Sequence, residues 1–511
     1  MNKTFFTAKG WLLLVSLLVL CLVQARGQTT SGTQIVGYNN ANNMSTIASL
    51  ANSPYTTIID GFLEPTQAST AVAPALGFDT LSYSSTMDAA RVTAFNSLRN
   101  AGKNVLLSFG GAGAGSSYAI FAKAGTTSSG IAYTADQATQ NLANILAAYV
   151  TGASSYQNAI TGATVPITTY DHSAGTFRGF NGIDLDFEDT QSFQTQGSPT
   201  YDGVHFLSQL TIDLRNNLGS GYLITHAPQT VYLDPAYTQG NTGTYGLPSG
   251  GYQAVLTTNY ANSNPNATLT AAGQATSWLN VQFYNNSADD GNNSVSGVVQ
   301  AFENLVTENP SIPTSKFVLT LPVTSKNAGD NFFTGPEITQ IVKQINAWLT
   351  GRGKGTIAGV AGFELYQPGA SQQDTYNTDL NFANAIVLGT HPAFFTGEAA
   401  LSNGVYYLAF PNNGNLFGYY SYLSDPHYIY HFDLGYEYIF DAADGKSGVY
   451  LYDFKSGGYF YTSPSFPFPY LYDFSLSTTL YYYPDPNNPG RYNTNGVRYF
   501  YNFATGKIIT K

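Results

Sequence analysis

Cysteine is nearly absent from this 511-residue chain: the single one, Cys21, stands within the first 27 residues. Those residues read as an export signal. Lys3 and Lys9 precede an apolar run from Trp11 to Val23, which is too short and wrongly flanked for a membrane span. Cleavage is expected near Ala25 or Gly27, and Leu20 stands where a lipid-anchoring signal would want a small residue before Cys21. With Cys21 removed, an internal disulfide and a thiolate metal site are both excluded.

Charge is scarce too, at 10% of residues. Removing Lys3, Lys9 and Arg26 leaves 17 of the 20 basic residues against 31 acidic ones, a formal charge of −14. That balance argues against nucleic acid and against anionic membrane surfaces as partners. No second apolar run is long enough to span a membrane. His172, His205, His226, His391, His427 and His431 are scattered, without acidic residues at ligand spacing, so no metal is expected. What abounds is Gly, Ser, Thr, Asn and Tyr, a composition suited to an extracellular protein that meets neutral polymers.

Residues 182–188 carry the chemistry. Asp184, Asp186 and Glu188 alternate with Ile183, Leu185 and Phe187, so a strand puts the acids on one face and the apolar residues on the other. Crowded acids repel one another and some pKa values must rise. A carboxyl kept protonated beside others kept ionised equips a site for acid-catalysed bond cleavage. A solvated strand edge is the plain alternative. A calcium loop would need a sharp Gly turn and small polar neighbours, not Ile, Leu and Phe.

Eight β-rich runs follow the signal: Gln34–Tyr38, Thr56–Phe62, Asn104–Phe109, Gly182–Phe187, Leu223–Ala227, Leu279–Tyr284, Phe317–Val323 and Ala361–Tyr366. Helical spacing marks Asp88–Asn100, Ala135–Tyr149, Val204–Leu218, Val295–Val306, Glu337–Leu349 and Leu380–Leu388. The alternation predicts an α/β fold, either a (β/α)8 TIM barrel over residues 28–392 or a doubly wound sheet. The acids favour the barrel, whose interior accepts a polar row and whose mouth, at the end of strand four, would hold Glu188.

Composition changes near Thr390-His391-Pro392, and residues 395–511 hold 21 of the 39 tyrosines. A short pattern recurs there as Ile429-Tyr430-His431-Phe432, Leu451-Tyr452-Asp453-Phe454, Leu471-Tyr472-Asp473-Phe474 and Phe500-Tyr501-Asn502-Phe503. Turn residues such as Asp444-Gly445 and Ser456-Gly457-Gly458 punctuate it, predicting a small all-β, Tyr-rich domain of hairpins. Its tyrosines are either a carbohydrate- or surface-binding platform or the cross-strand ladders of an ordinary sheet.

The segment Phe180 to Glu188 resembles the DGxDxDxE strand of glycoside hydrolase family 18, with Asn181 in place of the first Asp. Ser108-Phe109-Gly110-Gly111 looks like that family's SxGG element. Ala227-Pro228-Gln229 matches the element after strand five in its plant- and fungal-type chitinases, and Gln282-Phe283-Tyr284-Asn285 matches its QxYN element. The resemblance covers about residues 33–390 and leaves out the Tyr-rich tail. Where the family ends its eighth strand in a Trp under the reacting sugar, this chain is read as placing Tyr366.

The resemblance implies a secreted, monomeric chitinase that needs no cofactor and acts on chitin or N-acetylglucosamine oligosaccharides with a nucleophile supplied by the substrate. It gives Glu188 the role of general acid, raised by Asp186 and partial burial. Asp186 would orient the substrate's N-acetyl group, and Asp184 would help hold a shared proton. Tyr284 would hydrogen-bond the acetamido oxygen. Gln282, Asn285, Tyr366, Tyr38, Ser108, Gly110 and Gly111 are the substrate-binding candidates, with Ser108 and the two glycines shaping the third loop. An endo-β-N-acetylglucosaminidase acting on N-glycans and a non-catalytic chitin-binding lectin are the competing readings.

Overall fold

The computed structural model describes residues 33–40, 44–78, 89–112, 115–167, 179–188, 202–234, 251–258, 267–286, 290–291, 293–365, 370–390, 399–400, 405–409, 416–423, 428–442, 448–483 and 497–511. The chain forms two compact units.

The first unit is a (β/α)8 barrel. Its strands are β1 (Gln34–Asn39), β2 (Thr57–Pro65), β3 (Asn104–Gly110), β4 (Gly182–Asp186), β5 (Leu223–His226), β6 (Trp278–Gln282), β7 (Phe317–Pro322) and β8 (Gly359–Phe363). Each pairs in parallel with the next, and β8 returns to β1 with Gln34 opposite Gly359 and Val36 opposite Ala361. A doubly wound sheet would have left two open edges. A short strand, Leu76–Phe78, runs antiparallel against the end of β2.

Helices follow the strands. They are α1 (Met44–Ser49), α2 (Ala89–Asn100), α3 (Ala135–Thr151), α4 (Gly203–Leu218), α5 (Gly251–Leu256), α6 (Ala271–Ala275), α7 (Val295–Glu308), α8 (Gly335–Gly351) and α9 (Gln372–Thr390). Local signals set their ends. Thr134 and Gln137 form a reciprocal capping box at the start of α3, and Gly152 closes it in the left-handed region at φ 70°. Asp202 caps α4, and Ser294 caps α7.

Side-chain alternation then decides what fills the barrel. Val36, Ile59, Leu106, Trp278 and Val318 form part of its buried apolar filling. Above them the register sets Ser108 and Thr225 on either side of Asp184, so one layer of the interior is polar. Ile183 and Leu185, fully buried, take the opposite face of β4, which in a barrel lies against the helices.

The second unit contains an eleven-stranded antiparallel sheet from Ala399–Ala400 to Lys507–Thr510, with strands paired in chain order. The alternation is regular: in Val449–Asp453 the first, third and fifth residues are buried and Tyr450 and Tyr452 are not. The inward face holds a core that includes Phe417, Ile429, Leu451, Phe460, Leu471, Leu480 and Phe500. The recurrent polar residue also points inward and closes its turn. Asp473 accepts from the N–H groups of Ser475 and Leu476, Asn502 from Ala504 and Thr505, and Asp453 from Lys455 and Ser456. His431 uses Nδ1 for the same task, accepting from Asp433 and Leu434 at 3.1 Å. Asp453 is further held by a bidentate bond from buried Arg498. The composition change near residue 391 falls on residues 391–398, outside the described ones.

Among the described residues no helix is long and apolar enough to cross a membrane. Nor does any group of three or more His, Cys, Asp or Glu among them have the arrangement of a metal site.

Candidate active site

Asp184 is the deepest of the acids. Its Oδ2 accepts from Tyr38 Oη at 3.0 Å and Ser108 Oγ at 3.1 Å. Its Oδ1 accepts from Thr225 Oγ1 at 2.5 Å and Asn280 Nδ2 at 3.1 Å. Burial pushes its pKa up, and those four donors pull it back toward the ionised form. Four neutral donors thus hold the Asp184 carboxyl in place at the bottom of the acid row. The hydroxyls of Tyr38 and Ser108 are buried and committed to Asp184.

Asp186 and Glu188 lie at the C-terminal end of β4 and are bonded to each other. Burial pushes Asp186 well above the usual carboxylate range, with the charges of Glu188 and Asp184 adding to it. Burial also raises Glu188, opposed by bonds to Gln282 and Asp186. The two groups titrate as a pair that holds one proton beyond the ordinary carboxylate range. Gln282 Nε2 clamps them, donating to Asp186 Oδ1 at 3.1 Å, Glu188 Oε1 at 2.9 Å and the Ala227 carbonyl at 2.9 Å. An amide has two hydrogens for these three acceptors, so one is shared. Tyr232 Oη donates to the Glu188 carbonyl at 2.8 Å, fixing the backbone that carries the acid.

Tyr284 follows the end of β6 and stacks on Phe363, with ring centroids 5.6 Å apart and planes 21° from parallel. Burial and the charge of Glu188 push its hydroxyl well above the ordinary tyrosine range, so it stays a donor. Beyond Phe363, Glu364 is raised by burial to about 7, and its Oε2 has no bonded partner. The arrangement offers a proton on a carboxyl pair, a neutral hydroxyl donor beside it, and an aromatic wall.

Asn285 is exposed and sits in the left-handed region at φ 64°. Its side chain accepts from the Gly329 N–H at 2.9 Å and so ties two loops together. Gly110 and Gly111 are required at the end of β3 for a steric reason. A Cβ on Gly110, at φ 127°, would meet the Asp186 carbonyl oxygen at 2.0 Å. Gly111, at φ 102°, donates its N–H to that same oxygen at 2.8 Å. Asn181 Oδ1 accepts from the Val105 N–H at 2.9 Å, a task that an amide performs without charge. Tyr366 lies outside the described residues.

Four contributors were not singled out from the sequence: Thr225, Asn280, Tyr232 and Phe363. Asn280 had a signal, because Trp278, Asn280 and Gln282 alternate along one strand and must share the barrel interior. Phe363 was missed because strand eight was read to Tyr366, whereas β8 ends at Phe363 itself.

A model of the family "Glycosyl hydrolases family 18" matches residues 34–379. No curated protein matches the chain. A GH18 chitinase from Pseudoalteromonas aurantia is a similar solved structure, at 23% identity and a TM-score of 0.47 over 69% of this chain and 100% of that one. Another is a fungal endo-β-N-acetylglucosaminidase of family 18, at 17% identity and a TM-score of 0.41 over 69% of this chain and 98% of that one. Chitinase ChiC from Aspergillus fumigatus is similar at 16% identity and a TM-score of 0.41, over 66% of this chain and 95% of that one.

Proposed function

Because the chain belongs to the glycosyl hydrolases of family 18, we propose that it is a secreted chitinase, hydrolysing β-1,4-linked N-acetylglucosamine polymers with net retention. The observation that carries this reading is the carboxyl pair Asp186–Glu188, raised by burial and clamped by Gln282 beside Tyr284. Glu188 gives its proton to the glycosidic oxygen as the bond to the anomeric carbon breaks. The substrate's own acetamido oxygen attacks that carbon from the opposite face. Asp186 turns to the acetamido N–H and holds the group in line, while Tyr284 donates to its oxygen. Water then opens the cyclic intermediate with Glu188 as base. Asp184, held by its four donors, sits behind Asp186 and positions it toward the acetamido group.

Retained Glu188 disfavours a purely binding barrel, and the Ala227-Pro228-Gln229 element favours chitin over N-glycans. Lys3, Lys9 and the apolar run after them support export. The test is to supply N-acetylglucosamine oligomers, their deacetylated counterparts and a high-mannose N-glycan in parallel. Cleavage of the acetylated oligomers alone, with the β-anomer released first, is expected. Cleavage of the N-glycan alone would move the substrate to the chitobiose core. An α-anomer, or equal cleavage of deacetylated oligomers, would remove the substrate-assisted step.

A further inference from the structure

The second unit has a face that its own folding does not require. Its core lies on the inward side of the sheet. From the strand Tyr428–His431 to the strand Tyr499–Asn502, every outward strand position except Thr479 is Tyr or Phe. A solvated sheet face is ordinarily polar. Here Tyr436 is 57% exposed, Tyr459 47% and Tyr499 46%. The rings of neighbouring strands touch, with centroids 5.0 Å apart for Tyr452 and Tyr459 and 5.1 Å for Tyr470 and Tyr481, so the face is continuous. Exposed apolar surface on this scale marks an interaction site.

The occupant follows from charge and from repetition. Over those strands Glu437, Asp453 and Asp473 point inward and are buried, so among the described side chains no ionised group stands with the outward rings. A single-stranded nucleic acid would stack on such rings, but its phosphates need Lys or Arg along the groove, and the described residues of these strands offer none outward. The same Tyr-x-Tyr pattern recurs at each hairpin, on strands spaced about 4.8 Å apart. A periodic face fits a periodic ligand better than a single protein epitope. Each ring presents a flat apolar face with a hydroxyl at its end, the complement of a ring with axial C–H groups and equatorial hydroxyls. We propose that this outer face docks an uncharged, insoluble β-linked polysaccharide, whose pyranose rings stack on its tyrosines. The inference is independent of the barrel's chemistry, since it uses no residue of the first unit.

The test uses the full chain carrying Glu188→Gln, so that nothing is digested, mixed with powdered chitin and, separately, microcrystalline cellulose. Depletion from solution is compared with that of the same chain carrying Tyr436→Ser, Tyr459→Ser and Tyr499→Ser. Loss of about tenfold or more in the partition constant is expected, the result of removing three stacking rings. The melting temperature should be unchanged, as should hydrolysis of soluble oligomers when the three changes are made with Glu188 intact. If the triple variant melts early, each substitution is measured singly, and each should weaken retention without lowering the melt. Undiminished retention of the variants would overturn the proposal, as would a parent chain held by neither polysaccharide. A face whose loss affects only self-association or capture of another protein would overturn it as well. An inactive barrel on a chain still held by chitin would leave this inference standing and sink only the hydrolase reading.

Discussion

In β4 the barrel interior receives Asp184 and Asp186 while Ile183 and Leu185 take the other face. In Val449–Asp453 the core receives Val449 and Leu451 while Tyr450 and Tyr452 face out. Both strands alternate with period two, yet apolar packing sits on opposite sides of the sequence pattern's polarity. Closure makes the difference. A closed parallel barrel has two buried faces, so it can reserve one interior layer for polar chemistry and satisfy it with Ser108, Thr225 and Asn280. An antiparallel sheet with one core has one face left over, and what it displays there is available for binding. The comparison separates residues whose loss costs turnover from those whose loss costs folding.

The largest effect should come from the barrel interior. Asp186→Asn is expected to lower kcat by about a thousandfold, equivalent to roughly 4 kcal/mol of transition-state stabilisation. Its melting temperature should hold or rise, because a buried charge is removed. Steady-state kinetics beside a thermal melt would show this, and a large drop in the melt would put Asp186 among the folding residues.

Of comparable size but opposite kind, Phe460→Ala should destabilise the second unit by about 3–5 kcal/mol, the usual cost of emptying a phenylalanine site. Tyr459→Ala, next to it on the other face, should change stability by about 0.5 kcal/mol or less. Denaturant titration of the full chain, followed by tyrosine signals, compares the two. Equal losses would mean that the outer rings are structural and erase the distinction between the faces.

Gln282→Leu should reduce kcat by about ten- to a hundredfold, as expected when a preorganised donor is lost. It should also shift the pH profile, because the amide's bonds favour ionised Asp186 and Glu188. Removing them raises the pair further, so the basic limb of activity moves to higher pH. A profile scaled down without displacement would assign Gln282 to packing alone.

The smallest effect on turnover concerns a carboxyl outside the site. Burial pushes Asp379 up to about 8, and its Oδ2 has no bonded partner. The folded chain thus keeps a proton that the unfolded chain releases near pH 4. That contribution is complete below about pH 4 and is lost as pH rises through about 8. Asp379→Asn, neutral throughout, should melt above the parent at pH 9 and level with it at pH 4, which thermal melts at the two pH values check.

The barrel and its acid row were legible because each rests on a strong local signal. Eight β-rich runs separated by helical spacing admit few closures, and Asp184, Asp186 and Glu188 on a period of two must share a side. What was not legible depends on which strands become neighbours. That Tyr38 and Ser108 donate their hydroxyls to Asp184 follows from the register and not from either residue's local sequence. Thr225 is an unremarked threonine until β5 pairs with β4 and places it directly opposite Asp184. Asn285 lies next to Tyr284 in sequence but turns at φ 64° into a different loop. Phe363 was overlooked because a strand end is uncertain by a few residues from sequence. In the tail, the repeat was visible, but not that its Asp453, Asp473 and Asn502 close turns from the inward side, since that depends on hairpin geometry.

The role of Glu188 as general acid is tested most directly by product release from N-acetylglucosamine oligomers by the parent chain and by Glu188→Gln. Cleavage by the parent is expected, with loss of about two or more orders of magnitude in the variant, the contribution of a positioned general acid, and with sugar binding retained. Equal turnover by both chains would contradict it, and so would sugar bound but left uncut by the parent.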